Sequence, residues 1–173
     1  MKYALIVLGI LAALLILVVA IGAMLPVRHT AARQIRIERP PDQVFALISD
    51  PAQFPSWRKS VSKVEILPDH AGHRVYRETG KDGSILYEVD SMVPSRTLVT
   101  RIADKSLPFG GKWTYSLTGD SASTVLTITE DGEVYNPLFR FVSRFVMGHT
   151  ATIDGYLRDL AAHFGVDAKT AIQ

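Results

Sequence analysis

A carboxyl group lies among tyrosines in the middle of the chain. The segments HRVYRETG (73–80) and SILYEVDSM (84–92) alternate apolar and polar residues and flank Asp82-Gly83, which is typical of a two-residue hairpin loop. Such a loop fixes the cross-strand register, and with it the face on which each side chain lies. The predicted pairs are Glu78 with Tyr87, Tyr76 with Val89, and Arg77 with Glu88.

Glu78 is the candidate catalytic residue of this hairpin. Burying a lone carboxylate is costly, so on an inward face it needs a partner or a raised pKa. It could hold the polar head of a ligand or act as a general acid or base. Alternatively, Glu78 reaches solvent from the strand end or bonds a neighbouring Tyr hydroxyl. Glu130, at the end of a later strand, raises the same question more weakly.

Most of the residues predicted to bind a ligand are aromatic. Tyr and Trp side chains pack as apolar surfaces and also offer a hydroxyl or an N–H that can orient a ligand. In GKWTYSLT (111–118), Trp113 and Tyr115 point to the same face. The predicted ligand-binding residues are Trp57, Tyr76, Glu78, Tyr87, Trp113, Tyr115, Phe141 and Phe145.

Other catalytic chemistries have little support in the sequence. The chain has no Cys, which excludes disulfides, thiolate metal sites and a cysteine nucleophile. Asp69, His70 and His73 have loosely metal-like spacing, but they lie in a Gly-containing turn that no further ligand motif completes. His149 and His163 are interpreted as a helix-break residue and a surface residue. No metal site and no cofactor are therefore predicted.

The charge of the chain gives no reason to expect a nucleic-acid partner. The formal net charge is +2, and basic residues do not form a stripe interleaved with aromatic residues. The part of the chain after the N-terminal segment contains 18 of the 19 basic residues and all 17 acidic residues, so it is close to neutral.

Residues 3–27 are almost wholly apolar and carry no charge. At ~1.5 Å per residue a helix of this length crosses a hydrocarbon core of ~30 Å, which predicts a single-pass transmembrane anchor. The alternative is a signal peptide, with Lys2 as a minimal basic region and Ala20-Ile21-Gly22 as a cleavage candidate. The arginines that follow the segment favour a cytoplasmic domain by the positive-inside rule, although several of them belong to a predicted strand.

The remaining chain alternates between strand and helix patterns in a definite order. Residues 30–37 are predicted as a strand, and Pro41 opens a helix that Asp50-Pro51 ends. A short helical turn precedes Trp57. Six consecutive strands follow, joined by short turns that favour antiparallel hairpins. They are predicted at 64–67, 73–80, 84–92, 97–102, 111–118 and 123–130.

The final segment predicts a long amphipathic helix in two parts. Asn136-Pro137 is an N-terminal cap signature, and an apolar stripe through Phe141 and Phe145 resumes after Gly148 and runs to Gly165. The helix is expected to lie across the inner face of the sheet, with residues 166–173 as a tail. Two arginines, Arg140 and Arg144, lie on the opposite helix face and are predicted to pair with Glu130, Asp131 or Glu133. Alternatively, this helix start is a cavity gate that meets lipid headgroups.

This order of elements, β-α-α-β6-α, resembles the helix-grip fold of the START-like superfamily, specifically its SRPBCC or polyketide cyclase/dehydrase-type proteins. The resemblance covers residues 30–165 and rests on the segments IERPPDQVFALISDPAQFPSW, GGKWTYSL, TEDGEVYNPLFRFVSRFVMG and YLRDLAAHFG. It implies an α+β fold in which a seven-stranded curved antiparallel sheet wraps around the C-terminal helix and leaves an apolar cavity. These motifs are informative about the fold and poorly informative about the chemistry.

Three functions remain open at this point. The first is a membrane-tethered binding protein for a hydrophobic small molecule, such as a lipid, isoprenoid or quinone. The second is a cyclase- or dehydratase-type enzyme in which Glu78 is the acid or base and Tyr76, Tyr87 or Tyr115 positions a carbonyl. The third is a partner-binding stress-response module with a filled cavity.

Overall fold

The computed structural model describes residues 2–81 and 83–173. The chain begins with the long helix α1 and ends in a helical region, with a seven-stranded sheet between them. The helices are α1 (Lys2–Met24), α2 (Pro41–Ile48), α3 (Phe54–Trp57), α4 (Pro137–Val142), α5 (Ala151–Phe164) and α6 (Ala168–Ala171). The strands are β1 (Arg28–Ile37), β2 (Lys63–His70), β3 (His73–Gly80), β4 (Gly83–Val93), β5 (Thr97–Ile102), β6 (Phe109–Gly119) and β7 (Thr124–Val134).

All neighbouring strands are antiparallel, and the sheet order is β1-β7-β6-β5-β4-β3-β2. Consecutive strands pair as hairpins from β2 to β7, and β1 joins the sheet beside the last strand. The predicted α+β helix-grip fold, with its seven-stranded antiparallel sheet and its N- and C-terminal helices, is confirmed. Strand β7 runs four residues beyond its predicted end, because Asp131 and Glu133 continue the pairing with β1 and β6.

The predicted register of the β3–β4 hairpin is wrong by two positions. Gly80 pairs with Gly83, so Tyr76 lies opposite Tyr87 and Glu78 opposite Ile85. Asp82, on which the predicted loop depended, lies outside the described residues. A shift of two positions preserves the faces of both strands, because side chains alternate with a period of two.

The predicted ion pair between Arg77 and Glu88 is also absent from the described residues. Arg77 lies 3.4 Å from a Glu65 oxygen on β2, whereas Glu88 lies 2.8 Å from Arg101 on β5. Both pairs are on the outer face of the sheet, which is the face that the sequence predicted for these charges.

The core lies between the inner face of the sheet and helices α2 and α5. Helix α5 contributes Ile153, Leu157, Leu160 and Ala161, all fully buried, and α2 contributes a face through Val44 and Ile48. Helix α5 ends at Gly165, whose φ of +70° is the left-handed conformation that glycine adopts at low cost. This packing of α5 under the sheet is the grip that the element order predicted.

The C-terminal helical region has the two predicted parts, but the prediction that both lie across the inner face of the sheet is wrong. Helix α4 passes into a π-helical turn at Ser143–Met147 and stops at Gly148, whose φ is +78°. Helix α4 and this turn contain no buried residue. Only α5 lies across the inner face, so the apolar stripe before Gly148 has a different environment from the stripe after it.

Helix α4 packs against the end of α1. A Cβ atom at position 22 would clash with the backbone oxygen of Pro137, so only glycine allows α1 and α4 to pack this closely. The Arg140 guanidinium donates to the carbonyl oxygen of Leu25 at 2.7 Å, just beyond the last turn of α1. A cation at this position also complements the negative end of the helix dipole.

The predicted pairing of Arg140 and Arg144 with the acidic cluster is therefore wrong. Glu130, Asp131 and Glu133 lie on β7 and not in a turn, and they face partners on neighbouring strands. Those partners, among the described residues, are His29 for Glu130, Lys112 for Asp131 and Arg28 for Glu133.

The last residues of the chain return to the sheet. Ile172 forms a bridge with Ile35, and the backbones of Gln34 and Gln173 exchange two hydrogen bonds of 2.9 Å. Part of the free edge of β1 is thereby covered.

Candidate functional site

A cavity of about 430 Å³ lies between the inner face of the sheet and the connection from α4 to α5. Its floor is formed by buried side chains such as Tyr76 and Tyr115, whereas Phe139 and Met147 at the other end are largely exposed. The cavity therefore opens at the α4–α5 connection. Its remaining lining includes Arg58, Glu78, Ile85, Tyr87, Thr100, Ile102, Trp113, Glu130, Val142, His149 and Thr152.

The floor contains one buried ion pair. Arg58, which directly follows α3, donates from Nη1 to Oε1 of Glu78 on β3 at 2.7 Å. The guanidinium carbon also lies 4.9 Å from the ring centre of Phe54 and 5.1 Å from that of Tyr156, in cation–π geometry. Burial raises the pKa of Glu78, and the charge and hydrogen bond of Arg58 oppose that rise. The carboxyl group of Glu78 is thus bound by Arg58 and is not free.

Three tyrosines form the wall beside this ion pair. The rings of Tyr76 and Tyr87 stack at 5.4 Å between centroids, which follows from their direct pairing on β3 and β4. Burial raises the pKa of Tyr76, Tyr87 and Tyr115 above the ordinary tyrosine value. Their hydroxyl groups therefore stay protonated and can donate hydrogen bonds at any physiological pH.

A second carboxyl group lies nearer the opening. Glu130 on β7 is adjacent to Trp113 on β6, and its Oε2 is buried with no hydrogen-bond partner among the described residues. Burial raises the pKa of Glu130, and the nearby Trp113 indole N–H partly offsets that rise. Oε1 lies 3.7 Å from Nε2 of His29. Unlike Glu78, Glu130 forms no ion pair with an arginine in the part of the chain that the structure describes.

Two histidines meet at the opening. The rings of His29 on β1 and His149, directly after Gly148, are stacked with centroids 4.0 Å apart. Burial lowers the pKa of both, and each lies near another basic group, His149 for His29 and Arg144 for His149. Both histidines are therefore neutral at pH 7. Among the described residues, no group of three or more His, Asp or Glu side chains could hold a metal ion.

The structure brings together five of the eight residues that the sequence predicted to bind a ligand. The other three lie elsewhere: Trp57 is buried in the core with its ring 5.2 Å from Tyr156, while Phe141 and Phe145 contact each other, with Phe145 largely exposed. The residues that α4 presents to the cavity are instead Phe139 and Val142. The five residues in the cavity are Tyr76, Glu78, Tyr87, Trp113 and Tyr115.

Sequence reasoning missed Arg58, His29 and the role of His149. Arg58 follows a short helix and has no periodic pattern around it that could indicate an inward direction. His29 and His149 are 120 positions apart, and they meet because the connection from α4 to α5 lies beside β1. The predicted inward direction of Glu78 was the one available signal, because a buried acid requires a partner whose position the sequence did not reveal.

Known structures share this fold across most of the chain. A START superfamily protein from Mycobacterium smegmatis superposes with a TM-score of 0.63 at 15% identity, covering 79% of this chain and 97% of that one. The Zhui aromatase/cyclase from Streptomyces sp. R1128 superposes with a TM-score of 0.61 at 17% identity, covering 80% and 94%. Norcoclaurine synthase from Thalictrum flavum gives 0.61 at 12% identity, covering 79% and 93%.

At identities this low, the structural matches establish the fold alone. No curated protein sequence matches the chain. The family described as "Polyketide cyclase / dehydrase and lipid transport" has a sequence profile that matches residues 28–165, from the first strand to the end of α5. Because this match covers most of the chain, the protein belongs to the polyketide cyclase/dehydrase and lipid transport family.

Proposed function

We propose that this protein is a membrane-tethered binding protein for a hydrophobic small molecule of the lipid, isoprenoid or quinone class. One observation carries the proposal: the segment that forms the cavity opening, residues 139–149, begins in the helix that packs against α1. An opening fixed beside a membrane helix has the apolar molecules of the bilayer within reach.

The chemistry of the cavity supports an apolar ligand with a small polar group. Its lining surface is mostly apolar, and its buried polar residues include Glu78 and Thr100. The other polar residues of the lining are His29, Arg58, Lys112, Glu130, Glu133, Ser143, His149 and Thr152. This combination is typical of pockets that bury a ligand body and orient it through a few hydrogen bonds. A cavity of about 430 Å³ also argues against the alternative of a partner-binding module with a filled interior.

The character of α1 supports the tether. The helix spans 23 residues and contains an 18-residue stretch with a mean hydropathy of 3.3, so it is long and apolar enough to cross a membrane, as signal sequences also are. Its contacts through Gly22 and Leu25 favour an anchor over a cleaved signal, because cleavage near Gly22 would remove the surface on which α4 packs. We propose that the domain lies on the cytoplasmic side, since Arg28 and Arg33 follow α1, whereas Lys2 is the one charged side chain at the N-terminal end of this helix.

An enzyme of the cyclase or dehydratase kind is the second candidate. The observation in its favour is that two carboxyl groups with raised pKa, Glu78 and Glu130, line one cavity with protonated tyrosines. Such groups suit general acid–base chemistry near neutral pH. This candidate expects Glu78→Gln to abolish turnover of a bound substrate while leaving its affinity nearly unchanged.

The proposed function is tested by purifying the full chain from membranes and analysing it by native mass spectrometry, with organic extraction to identify what is bound. The proposal expects one apolar molecule per chain. Ile85→Trp should reduce this occupancy because Ile85 lines the cavity, whereas Leu86→Trp, on the outer face, is the matched control. A ligand-free chain that also fails to take up added lipids, isoprenoids and quinones would refute the proposal.

A further inference from the structure

Two of the carboxyl groups that line the cavity, those of Glu78 and Glu130, differ in the hydrogen-bonding capacity that they leave for a ligand. Glu78 already accepts a hydrogen bond from Arg58, so the charges of this pair are matched within the protein. Glu130 offers a buried oxygen, Oε2, with no partner among the described residues. A buried acceptor without a donor is costly, and a ligand that supplies the donor recovers part of that cost.

The surroundings of Glu130 exclude an anionic head group. Its neighbours are the Trp113 indole and His29, which is neutral at pH 7 because its pKa is lowered by burial and by His149. Among the described residues, the Arg and Lys side chains that line the cavity are Arg58, which is bound to Glu78, and Lys112, which is half-exposed and lies 3.8 Å from an Asp131 oxygen. A carboxylate or phosphate would therefore meet a second acid without a free cation to compensate for it.

We infer that the ligand is an apolar molecule whose polar head is an uncharged hydrogen-bond donor, such as a long-chain or isoprenoid alcohol, and that Glu130 Oε2 accepts its hydroxyl hydrogen. This inference rests on the proposed function, since it assigns the head group of the same ligand. It places the hydroxyl beside Trp113 near the opening and the hydrocarbon body toward the tyrosine wall and Ile85.

The test uses three probes with one carbon skeleton: farnesol, farnesyl methyl ether and farnesoic acid. The full chain in phospholipid nanodiscs is incubated with each probe, and occupancy is read by native mass spectrometry. We expect the alcohol to bind at least about tenfold more tightly than the ether or the acid, because a hydrogen bond to a charged acceptor contributes ~1.5–3 kcal/mol.

Two variants separate the role of Glu130 from general effects on the cavity. Glu130→Leu should remove the preference for the alcohol over the ether, and Glu130→Gln should keep an acceptor but admit the acid. Glu65→Gln, on an exposed ion pair outside the cavity, is the control and should leave all three affinities unchanged.

The outcomes distinguish the inference from the proposed function. Equal binding of the three probes, or an alcohol preference that survives in Glu130→Leu, would overturn the inference and leave the binding function intact. Binding of none of them, nor of other apolar molecules, would overturn both.

Discussion

The two parts of the C-terminal helical region both carry an apolar stripe, but these stripes have opposite environments. In α5 the apolar stripe, including Ile153, Leu157 and Leu160, is fully buried beneath the sheet. In α4 and the π-helical turn no residue is buried, and Phe145, Val146 and Met147 are largely exposed. Gly148 separates the two parts.

This difference shows that an apolar helical stripe does not identify what covers it. The α5 stripe stabilises the fold, whereas the α4 stripe is shared between the cavity, through Phe139 and Val142, and the outside, through Phe145. A π-helical turn is uncommon and is frequent at functional sites. Here it lies between α4, which packs against α1, and α5, which lies in the core, and it borders the cavity opening.

The largest expected effect is in the packed part, where α5 contacts the buried ion pair. Arg58→Met leaves Glu78 buried without a cation, although the Tyr156 ring still covers the site. We expect the free energy of unfolding to fall by ~3–5 kcal/mol, measured by denaturant titration. The double variant Arg58→Met/Glu78→Gln should recover part of this loss. An Arg58→Met protein as stable as the parent would show that the Arg58–Glu78 ion pair does not stabilise the floor of the cavity.

A direct comparison of the two stripes gives the next largest effect. Leu157→Ala removes a fully buried side chain and should lower the free energy of unfolding by ~2–5 kcal/mol. Phe145→Ala removes a larger but exposed side chain and should change it by less than ~0.5 kcal/mol. Thermal unfolding of the Leu157→Ala and Phe145→Ala proteins in the same nanodiscs measures both losses of stability. Similar losses would mean that the region before Gly148 is also part of the core.

The contact between α1 and α4 is tested by adding one methyl group. Gly22→Ala places a Cβ against the Pro137 backbone, whereas Gly9→Ala on the same helix meets nothing within 4 Å and is the matched control. We expect faster hydrogen exchange of residues 137–148 in Gly22→Ala alone, with α5 unaffected. Exchange in 137–148 that is unchanged from the parent would show that α1 does not position the opening.

The smallest expected effect concerns stability and pH at Glu130. Burial raises its pKa, so the charged form opposes folding at neutral pH, and this cost disappears as the pH falls toward the ordinary Glu value. Glu130→Gln should therefore stabilise the protein at pH 7, with the gain shrinking as the pH falls toward the ordinary Glu pKa of about 4.3.

Glu133→Gln is the matched control for this pH effect, and its expected change in stability has the opposite sign. A Tyr135 hydroxyl and Arg28 lower the pKa of Glu133, so Glu133→Gln should slightly reduce stability at pH 7. Thermal unfolding from pH 4 to 8 measures both variants. A Glu130→Gln protein that is less stable than the parent at pH 7 would mean that the carboxylate is compensated by an interaction within the protein.

The sequence predicted the elements well because their signals are local. The alternation in β3 and β6 identified Tyr76, Glu78, Trp113 and Tyr115 as inward-facing side chains, and this face assignment survived an error of two positions in the hairpin register. The face on which a side chain lies depends only on the two-residue alternation along its strand, whereas the pairing register of two strands depends on the loop that joins them.

The errors arose where long-range contacts decide the outcome. Arg140 was predicted to pair with nearby acids, but it binds the carbonyl of Leu25, 115 positions away. Phe141 and Phe145 fit the helical stripe, yet the packing of α4 on α1 turned Phe139 and Val142 toward the cavity instead. No local pattern encodes how a membrane-type helix meets the domain that follows it.

The chain has two tryptophans, and the structure places them in different environments that allow a direct measurement of the central claim. Trp113 lines the cavity, whereas Trp57 is buried behind Tyr156. Bromine atoms quench tryptophan fluorescence on contact, so 9,10-dibromostearyl alcohol can be added to the full chain in nanodiscs.

We expect the brominated alcohol to quench the fluorescence of Trp57→Phe saturably, because Trp113 is the only tryptophan left in that variant. It should quench the fluorescence of Trp113→Phe only slightly. Equal quenching of the two variants, or no quenching of Trp113, would contradict the claim that the cavity takes up apolar molecules from the bilayer.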